Sequence, residues 1–494
     1  MRNKLLVLAA VAVFLASGVT HAQQTNESPS SITLSVEEAV MQALQNNGEL
    51  SLRRLQPQIA GAFAAMERGE YDPSLFGNAS HSRDSATRTY AATGEMRAET
   101  ENQTEFEVGI EQRAPTGTAV TATVSSARRE SSRTGILYNA RLGISITQQL
   151  LKGLPPKVNL ANVHRADLEV KISEHEFAAF AEALVAEVET AYWQYVSAKE
   201  SVRVVENAVA ASKAKLLDIQ ERVAVGDVPL NDAAAAAAEL GMREQRLLLA
   251  QKAEMERRLA LFRLLYPNHG TPLTTPIRTL SPLTPPVTTM DSVDDHVTLA
   301  LSSRQELMEA RLRRRQGVLE LTVSRNGVLP KLELFVTLGK TGYADTFADS
   351  FSNLNDSTHD AALGVRFRHV LGNRKAQSQR TIASLNVASA KQAIENLQQL
   401  VKYDVYAAWN ALDSAQKLVT VTKQTQMHRE TALRSVQARV EVGTATGLEL
   451  VQAERDLLES ALEEVNAQVQ YQLAQVQLYK AEGTLLKRRG IGLE

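Results

Sequence analysis

Enzymatic or metal chemistry needs nucleophiles, bases or ligands gathered at short spacing, and this chain scatters its candidates. Its nine histidines form no H-E-x-x-H and no close pair on one helix face, the arrangement that presents two imidazoles to one ion. Cysteine is absent and no G-x-S-x-G occurs, so covalent catalysis has no candidate nucleophile. The stretch LGKTGY, Leu338 to Tyr343, places Lys340 and Thr341 as a phosphate loop would. That loop needs a glycine where the chain has Leu334, so the stretch reads as a strand end. Tyr192, Trp193 and Tyr195 read as core and interface aromatics. No catalytic residue, cofactor site or metal site is expected, and the chain reads as a non-enzyme.

Order in this sequence lies at longer range. RVAVGDVP, Arg222 to Pro229, returns as RVEVGTAT, Arg439 to Thr446. SVEEAVMQALQNNGEL, from Ser35, returns as SVDDHVTLALSSRQEL, from Ser292, with Ser-Val, the acidic pair, Ala-Leu and the closing Glu-Leu in the same places. Val188, Ala191, Tyr192 and Ala198 recur as Val405, Ala408, Trp409 and Ala415, at the spacing that also relates the two R-V-x-V-G motifs. These matches indicate an internal duplication, its first copy longer ahead of Val188. Between the copies, YPNHGTPLTTPIRTLSPLTPPVTTMD holds six of the 14 prolines. Proline has a fixed φ and no N–H, so this strap is not helical.

The elements that would position the repeated motifs can be read from periodicity. From Phe177, apolar residues recur in alternating steps of four and three through Ala181, Leu184, Val188, Ala191, Tyr195, Ala198, Val202, Val205 and Val209 to Val223, interrupted in polarity only at Ser212. That is an a/d heptad seam. It predicts a helix from near Val158 to before Gly226, about 100 Å of rod at 1.5 Å per residue. Such a rod exceeds any compact globule and needs a partner along its length. Gly226 suits the left-handed residue that closes a helix, and Pro229 suits the first turn of the next. In the second copy Thr446 and Glu449 form a capping-box pattern. Both motifs are therefore expected at the tips of helical hairpins.

Arg2 and Lys4, the run LLVLAAVAVFLA and the site THA read as a secretory signal cleaved after Ala22. No other apolar run approaches a helical span, so any membrane crossing must be a β-barrel. The net charge of −2, without a run of one sign, gives no nucleic-acid footprint. Strands with one apolar face are legible: Phe106, Val108 and Ile110; Leu142, Ile144 and Ile146; Leu332 to Leu338 at alternate positions; Leu363, Val365 and Phe367. Segments near ten residues, apolar on one face and polar on the other, suit a membrane barrel with a wet interior. Two hairpins leave open edges that lipid does not tolerate, so several chains must close the wall, three giving twelve strands. QRAPTGTAVTATVSS, with Val120, Ala122 and Val124 alternating, leaves open whether residues 104–127 raise the contribution to six strands.

Several stretches share an order and spacing: ITLSVEEAVMQALQNNGEL (Ile32 to Leu50), ISITQQLLKG (Ile144 to Gly153), AYWQYVSAKESV (Ala191 to Val202), both R-V-x-V-G tips and LVQAERDLLESALEEV from Leu450. Together they resemble the TolC-like outer-membrane efflux protein family over nearly the whole chain after the signal. The resemblance implies a mainly α fold with membrane β. Its plan is a duplicated helix–β-hairpin–helix, with long antiparallel helical hairpins forming a periplasmic tube and strands contributed to a shared trimeric β-barrel. It implies a homotrimer in outer-membrane lipid, working without a cofactor. The tips, Val225, Gly226, Asp227, Val442, Gly443 and Thr444, would meet a periplasmic adaptor and, through it, an inner-membrane transporter. Asp232 and Glu449 stand where the family narrows its periplasmic aperture with acids, and Gln452 stands where a second acid is often found. A carboxylate ring favours cations, and the same two residues also suit the positive start of a helix. The run Ala233 to Ala238 suits close helix packing.

The expected organisation is a signal at residues 1–22 and a first repeat at 23–266, with a helix at 35–70, barrel strands at about 73–150 and a hairpin at 157–266 whose tip is near 226. A strap at 267–291 follows. The second repeat, 292–494, has a helix at 292–328, strands at 330–371 and a hairpin at 374–486 whose tip is near 443. The expected function is an outer-membrane exit duct for efflux or type I secretion. The alternative is a soluble periplasmic coiled-coil adaptor or scaffold whose strands form a small sheet.

Overall fold

The structure, a computed structural model, describes residues 32–89, 94–132, 135–267, 276–283, 290–356 and 358–492. The expected signal, residues 1–22, lies outside the described residues. The first half runs β1 (Ile32–Leu34), α1 (Val36–Asn46), α2 (Gly48–Arg68), β2 (Ser74–Thr89), β3 (Met96–Arg113), β4 (Thr118–Ser131), β5 (Gly135–Gln149), the one-turn α3 (Pro156–Asn159), α4 (Ala161–Ala224) and α5 (Leu230–Leu265). The second half runs β6 (Ile277–Thr279), α6 (Val293–Ser303), α7 (Gln305–Gly327), β7 (Lys331–Ala344), α8 (Phe347–Ser352), β8 (His359–Arg368), α9 (Arg374–Glu441), α10 (Gly447–Glu482) and α11 (Leu485–Arg488).

The leading helix of each copy is broken in two, where the sequence pattern suggests one. In the first copy Asn47 is extended, and its side chain accepts a hydrogen bond from the Leu50 N–H at 2.8 Å, capping α2. In the second, Arg304 is extended at the equivalent place. Each break lets a short helix turn into the core while its longer partner continues along the rods. Ser35 starts α1 with a full capping box: its hydroxyl accepts from Glu38 N–H, and the Glu38 carboxylate accepts from Ser35 N–H.

Two related cores result. In one, Val36, Ala39, Val40 and Ala43 of α1 pack with Leu184, Val188, Tyr192 and Tyr195 of α4 and with Leu261, Phe262 and Leu265 of α5. In the other, Val297 and Ala300 of α6 pack with Val401, Val405 and Leu412 of α9 and with Tyr471 and Leu478 of α10. The strap is partly sheet, because β6 pairs in parallel with β1. Two tyrosines fix that small sheet to α4: Tyr192 donates its hydroxyl to Leu34 O at 3.1 Å and Tyr195 to Ile277 O at 3.0 Å.

The remaining strands form one antiparallel sheet in the order β2-β3-β4-β5-β7-β8. Residues 104–127 fall in β3 and β4, inside this sheet. The copies are therefore unequal: the first contributes four strands and the second two. Among the described residues no helix is long and apolar enough to cross a membrane.

The chain's last described turn is latched to α4 and α6 by buried carboxylates. Glu189 receives both Arg489 Nε and Nη2, at 2.6 and 2.7 Å. Glu482 binds His296, Thr484 and Arg488. Glu182 accepts the Leu485 N–H at 2.9 Å, and burial pushes its carboxyl up to about 7. A buried carboxyl with a raised pKa favours the protonated folded form. Stability therefore falls as pH rises from the ordinary carboxyl range to about 7. Glu182→Gln keeps an acceptor without the charge. It should raise the melting temperature at pH 8 more than at pH 5 and flatten the profile between them, as read by thermal denaturation in detergent.

Candidate functional site

The two R-V-x-V-G motifs close their hairpins with the same backbone device. At the first tip Gly226 has φ +81°, its N–H bonds to Val223 O at 3.0 Å, and Asp227 N–H bonds to Arg222 O at 2.9 Å. At the second, Gly443 has φ +74°, its N–H bonds to Val440 O at 3.0 Å, and Thr444 N–H bonds to Arg439 O at 2.8 Å. These paired bonds are the Schellman motif, which places a left-handed residue just past the helix end. Glycine adopts that conformation without the Cβ penalty of other residues. The motif's arginine ties each turn. Arg222 Nε donates to Asp227 at 2.8 Å. Arg439 donates to Glu449 at 3.1 Å and to Thr444 O at 3.4 Å.

The acidic candidates differ in their surroundings. Glu449 completes a capping box with Thr446 and is bridged by Arg439. The Thr446 N–H it accepts is the main cause that holds its carboxyl below the usual range. Asp232 sits in the first turn of α5, exposed, and among the described residues no hydrogen bond or ion pair engages its carboxylate. Val225 and Val442 are exposed at the turns, as are Leu230 and Leu448 one step on. Leu230 and Leu448 have no special sequence signature. Their exposure next to a tip is visible only once the hairpin is folded.

Above the tips an ion-pair network bridges the hairpins, and sequence reading did not find it. Glu239 of α5 is 7% exposed and binds both Arg243 of its own helix and Arg455 of α10. Arg243 also reaches Glu454 at 3.0 Å, and Glu454 accepts Lys215 of α4 at 3.0 Å. Arg455 first, and then Arg243, hold the Glu239 carboxyl below its usual range. The i,i+4 spacing of Glu239 and Arg243 is legible in the sequence, but the link to Arg455 joins residues 216 positions apart. At about 1.5 Å per residue the network lies about 10–20 Å along α5 and α10 from their starts. Moving α5 away from α10 must break it, leaving Arg243 with fewer partners in a buried place.

The sheet supplies the other half of the site. Its apolar face is bare: Leu75 and Leu363, on the two edge strands, are each 74% exposed. On the opposite face Arg141 forms a forked pair with Asp360, at 2.7 and 2.6 Å, and Glu333 is gripped by Lys331, Arg366 and Gln149. Such an arrangement can line a wet passage and sort charge. Among the described residues no group of three or more acids, histidines or cysteines is placed to hold a metal ion.

Residues 297–484 match the family model described as Outer membrane efflux protein. The chain is 22% identical over 347 residues to Outer membrane protein TolC of Vibrio cholerae serotype O1, covering 69% of this chain and 76% of that protein. In fold it is similar to the outer-membrane channel OprN, with a TM-score of 0.64, 16% identity, and coverage of 91% of this chain and 89% of that one. It is also similar to the Campylobacter jejuni CmeC outer membrane channel, with a TM-score of 0.63, 17% identity, and coverage of 96% and 94%.

Glu239→Gln and Arg455→Ala should each loosen the lower hairpins. Hydrogen exchange by mass spectrometry should show severalfold faster exchange in the first turns of α5 and α10, with the stretch Tyr192–Val196 unchanged. The two changes combined should cost less than their sum, because they remove one shared interaction.

Proposed function

We infer, for a chain that belongs to the TolC-like outer-membrane efflux protein family, a passive exit duct in the outer membrane. It conducts substrates handed over by an inner-membrane transporter, through a periplasmic adaptor, to the outside. The chain is not an enzyme. One observation carries the reading: a six-stranded sheet with a bare apolar face continues directly into rods of 64 and 68 residues. A soluble sheet hides such a face against a second layer. The alternative of a soluble periplasmic adaptor leaves it in water, so lipid is the better solvent for it.

Homotrimer formation supplies the rods with neighbours. Phe63 of α2, Leu249 of α5 and Tyr403 of α9 are exposed on a lone chain, at 56, 61 and 73%, and a tube built from three copies buries such surfaces. The tips, with Val225, Leu230, Val442 and Leu448, form the docking end for the adaptor. Asp232, whose carboxylate makes no hydrogen bond or ion pair among the described residues, is the better aperture acid. Glu449 spends its carboxylate on the capping box and Arg439. Opening the duct separates α5 from α10 and breaks the Glu239–Arg455 link. Export of the chain itself relies on the signal read at residues 1–22. Efflux and type I secretion place the same demands on this conduit.

Two outcomes test the reading. Gly226→Val and Gly443→Val each force a β-branched residue into a left-handed conformation, at a cost of roughly 1–2 kcal/mol. Export should fall at least severalfold while heat-sensitive trimers still form in the outer membrane. Normal export by both variants would mean that the tips are not contact points. Asp232→Asn should lower the cation preference of single channels in planar bilayers, and unchanged selectivity would remove Asp232 from the aperture.

A further inference from the structure

We propose that three copies of this chain close a barrel of 18 strands, six from each copy, by pairing β8 of one copy with β2 of the next. The proposal rests on the outer-membrane reading above and adds the gauge and the seam of the wall.

The apolar band shows that all six strands belong to that wall. Its centre lies at Gly77 on β2 and Val108 on β3, which are directly opposite each other. Val108 faces Val124 on β4, but the band there is centred on Ala122, one cross-strand row nearer the helices. Ala122 faces Ile144, the centre on β5. Ile144 faces Leu338 on β7, and the band has again slipped: its midpoint lies between Leu334 and Val336, which face Val365 and Leu363 on β8. The slip is thus about two to three residues for every two strands. With about 3.3 Å per residue and about 4.8 Å between strands, a level band needs a strand tilt of about 35–45°. That is the tilt of membrane barrels. A hairpin lying outside the wall has no reason to keep this drift, and β3 and β4 keep it.

The hairpin is also pinned. Its turn, Ala114 to Gly117, sits under the end of β5: Gln149 N–H donates to Gly117 O at 3.0 Å. Asn159 Nδ2 donates to Pro115 O at 2.7 Å and to Gly153 O at 2.8 Å. Gly117 lies so close to Gly153 that a Cβ would collide with its carbonyl. The β3–β4 hairpin therefore cannot swing free of β5.

The edges identify the partner. Among the described residues of a lone chain β2 and β8 each lack a neighbour on one side, and hydrocarbon offers no water to their N–H and C=O groups. In a six-stranded meander the first and last strands run oppositely, so β8 meets the β2 of a neighbour antiparallel. Repeating this head-to-tail contact closes a ring. Carrying the drift across the seam sets Ala79 of one copy beside Leu363 or Val365 of the next. Barrel diameter grows roughly in proportion to strand number, so this wall is about half as wide again as one of twelve strands.

The absence of cysteine gives a clean background for the test. In the full-length protein extracted from outer membranes, Ala79→Cys combined with Leu363→Cys or with Val365→Cys should give covalent dimers and trimers on oxidation. The control pair Val124→Cys with Leu363→Cys should give none. Removing Met96–Ser131 and rejoining β2 to β5 leaves four strands per copy and should narrow the barrel, measured by electron microscopy of the purified protein, to about two-thirds of its diameter. The strand count is overturned if neither edge pair cross-links, if native mass spectrometry finds other than three subunits, or if the barrel of the shortened chain keeps its full diameter. Recovery of the unaltered chain as a monomer in periplasmic extract would instead overturn the duct reading beneath it.

Discussion

Hydrocarbon cannot hydrogen-bond a peptide group, and that constraint organises this molecule. A sheet of six antiparallel strands satisfies its inner ladders but leaves a row of donors and acceptors on each outer edge. Its bare apolar face rules out water as the surrounding medium, and its bare edges rule out lipid as the only neighbour. Lipid against the face and further copies of the same chain at the edges would meet both conditions, because an even number of strands presents opposite directions at the two edges. The long rods follow from the same arrangement. Strands that end together at one rim hand over to helices at that rim, and the helices must run together away from it.

Internal duplication meets this demand economically, though not symmetrically. Each copy supplies a broken leading helix, a block of strands and a hairpin of rods, and each builds its own core from the short helix against the rods. The first copy carries an extra hairpin that keeps register with its neighbours on both sides. The last described turn is then used as a fastener: Arg488 and Arg489 reach back to Glu482 and Glu189. Buried pairs of this kind add little net stability but are costly to break one partner at a time. They hold the ends of the duplicated halves in one arrangement.

The hairpin tips combine rigidity in the turn with weakness between the hairpins. Each turn is fixed by two backbone bonds and an arginine clamp. The link from α5 to α10, by contrast, is electrostatic and rests on two carboxylates, Glu239 with Arg455 and Glu454 with Arg243. A duct that opens by parting its lower helices needs this division, with stiff units joined by a contact that can be exchanged for water.

The sequence determined what depends on neighbours a few residues away. The R-V-x-V-G turns, the Thr446–Glu449 capping box, the four-three seam through Val188 and Tyr195, and the alternation in Phe106–Ile110 and Leu142–Ile146 are all local. Each is set by helix pitch, by strand pleat or by the one residue that accepts a positive φ. Duplication was legible because both copies still obey the same local rules. The breaks at Asn47 and Arg304, the contact of Glu239 with Arg455, the carboxylates that latch the last turn and the count of six strands were decided only by the tertiary structure. Alternation says that Val120, Ala122 and Val124 share a face, but not which strand lies beside them. That choice belongs to long-range register, where Val124 meets Val108 on one side and Leu142 on the other. Pairing energy between such distant residues leaves no periodic trace in the sequence.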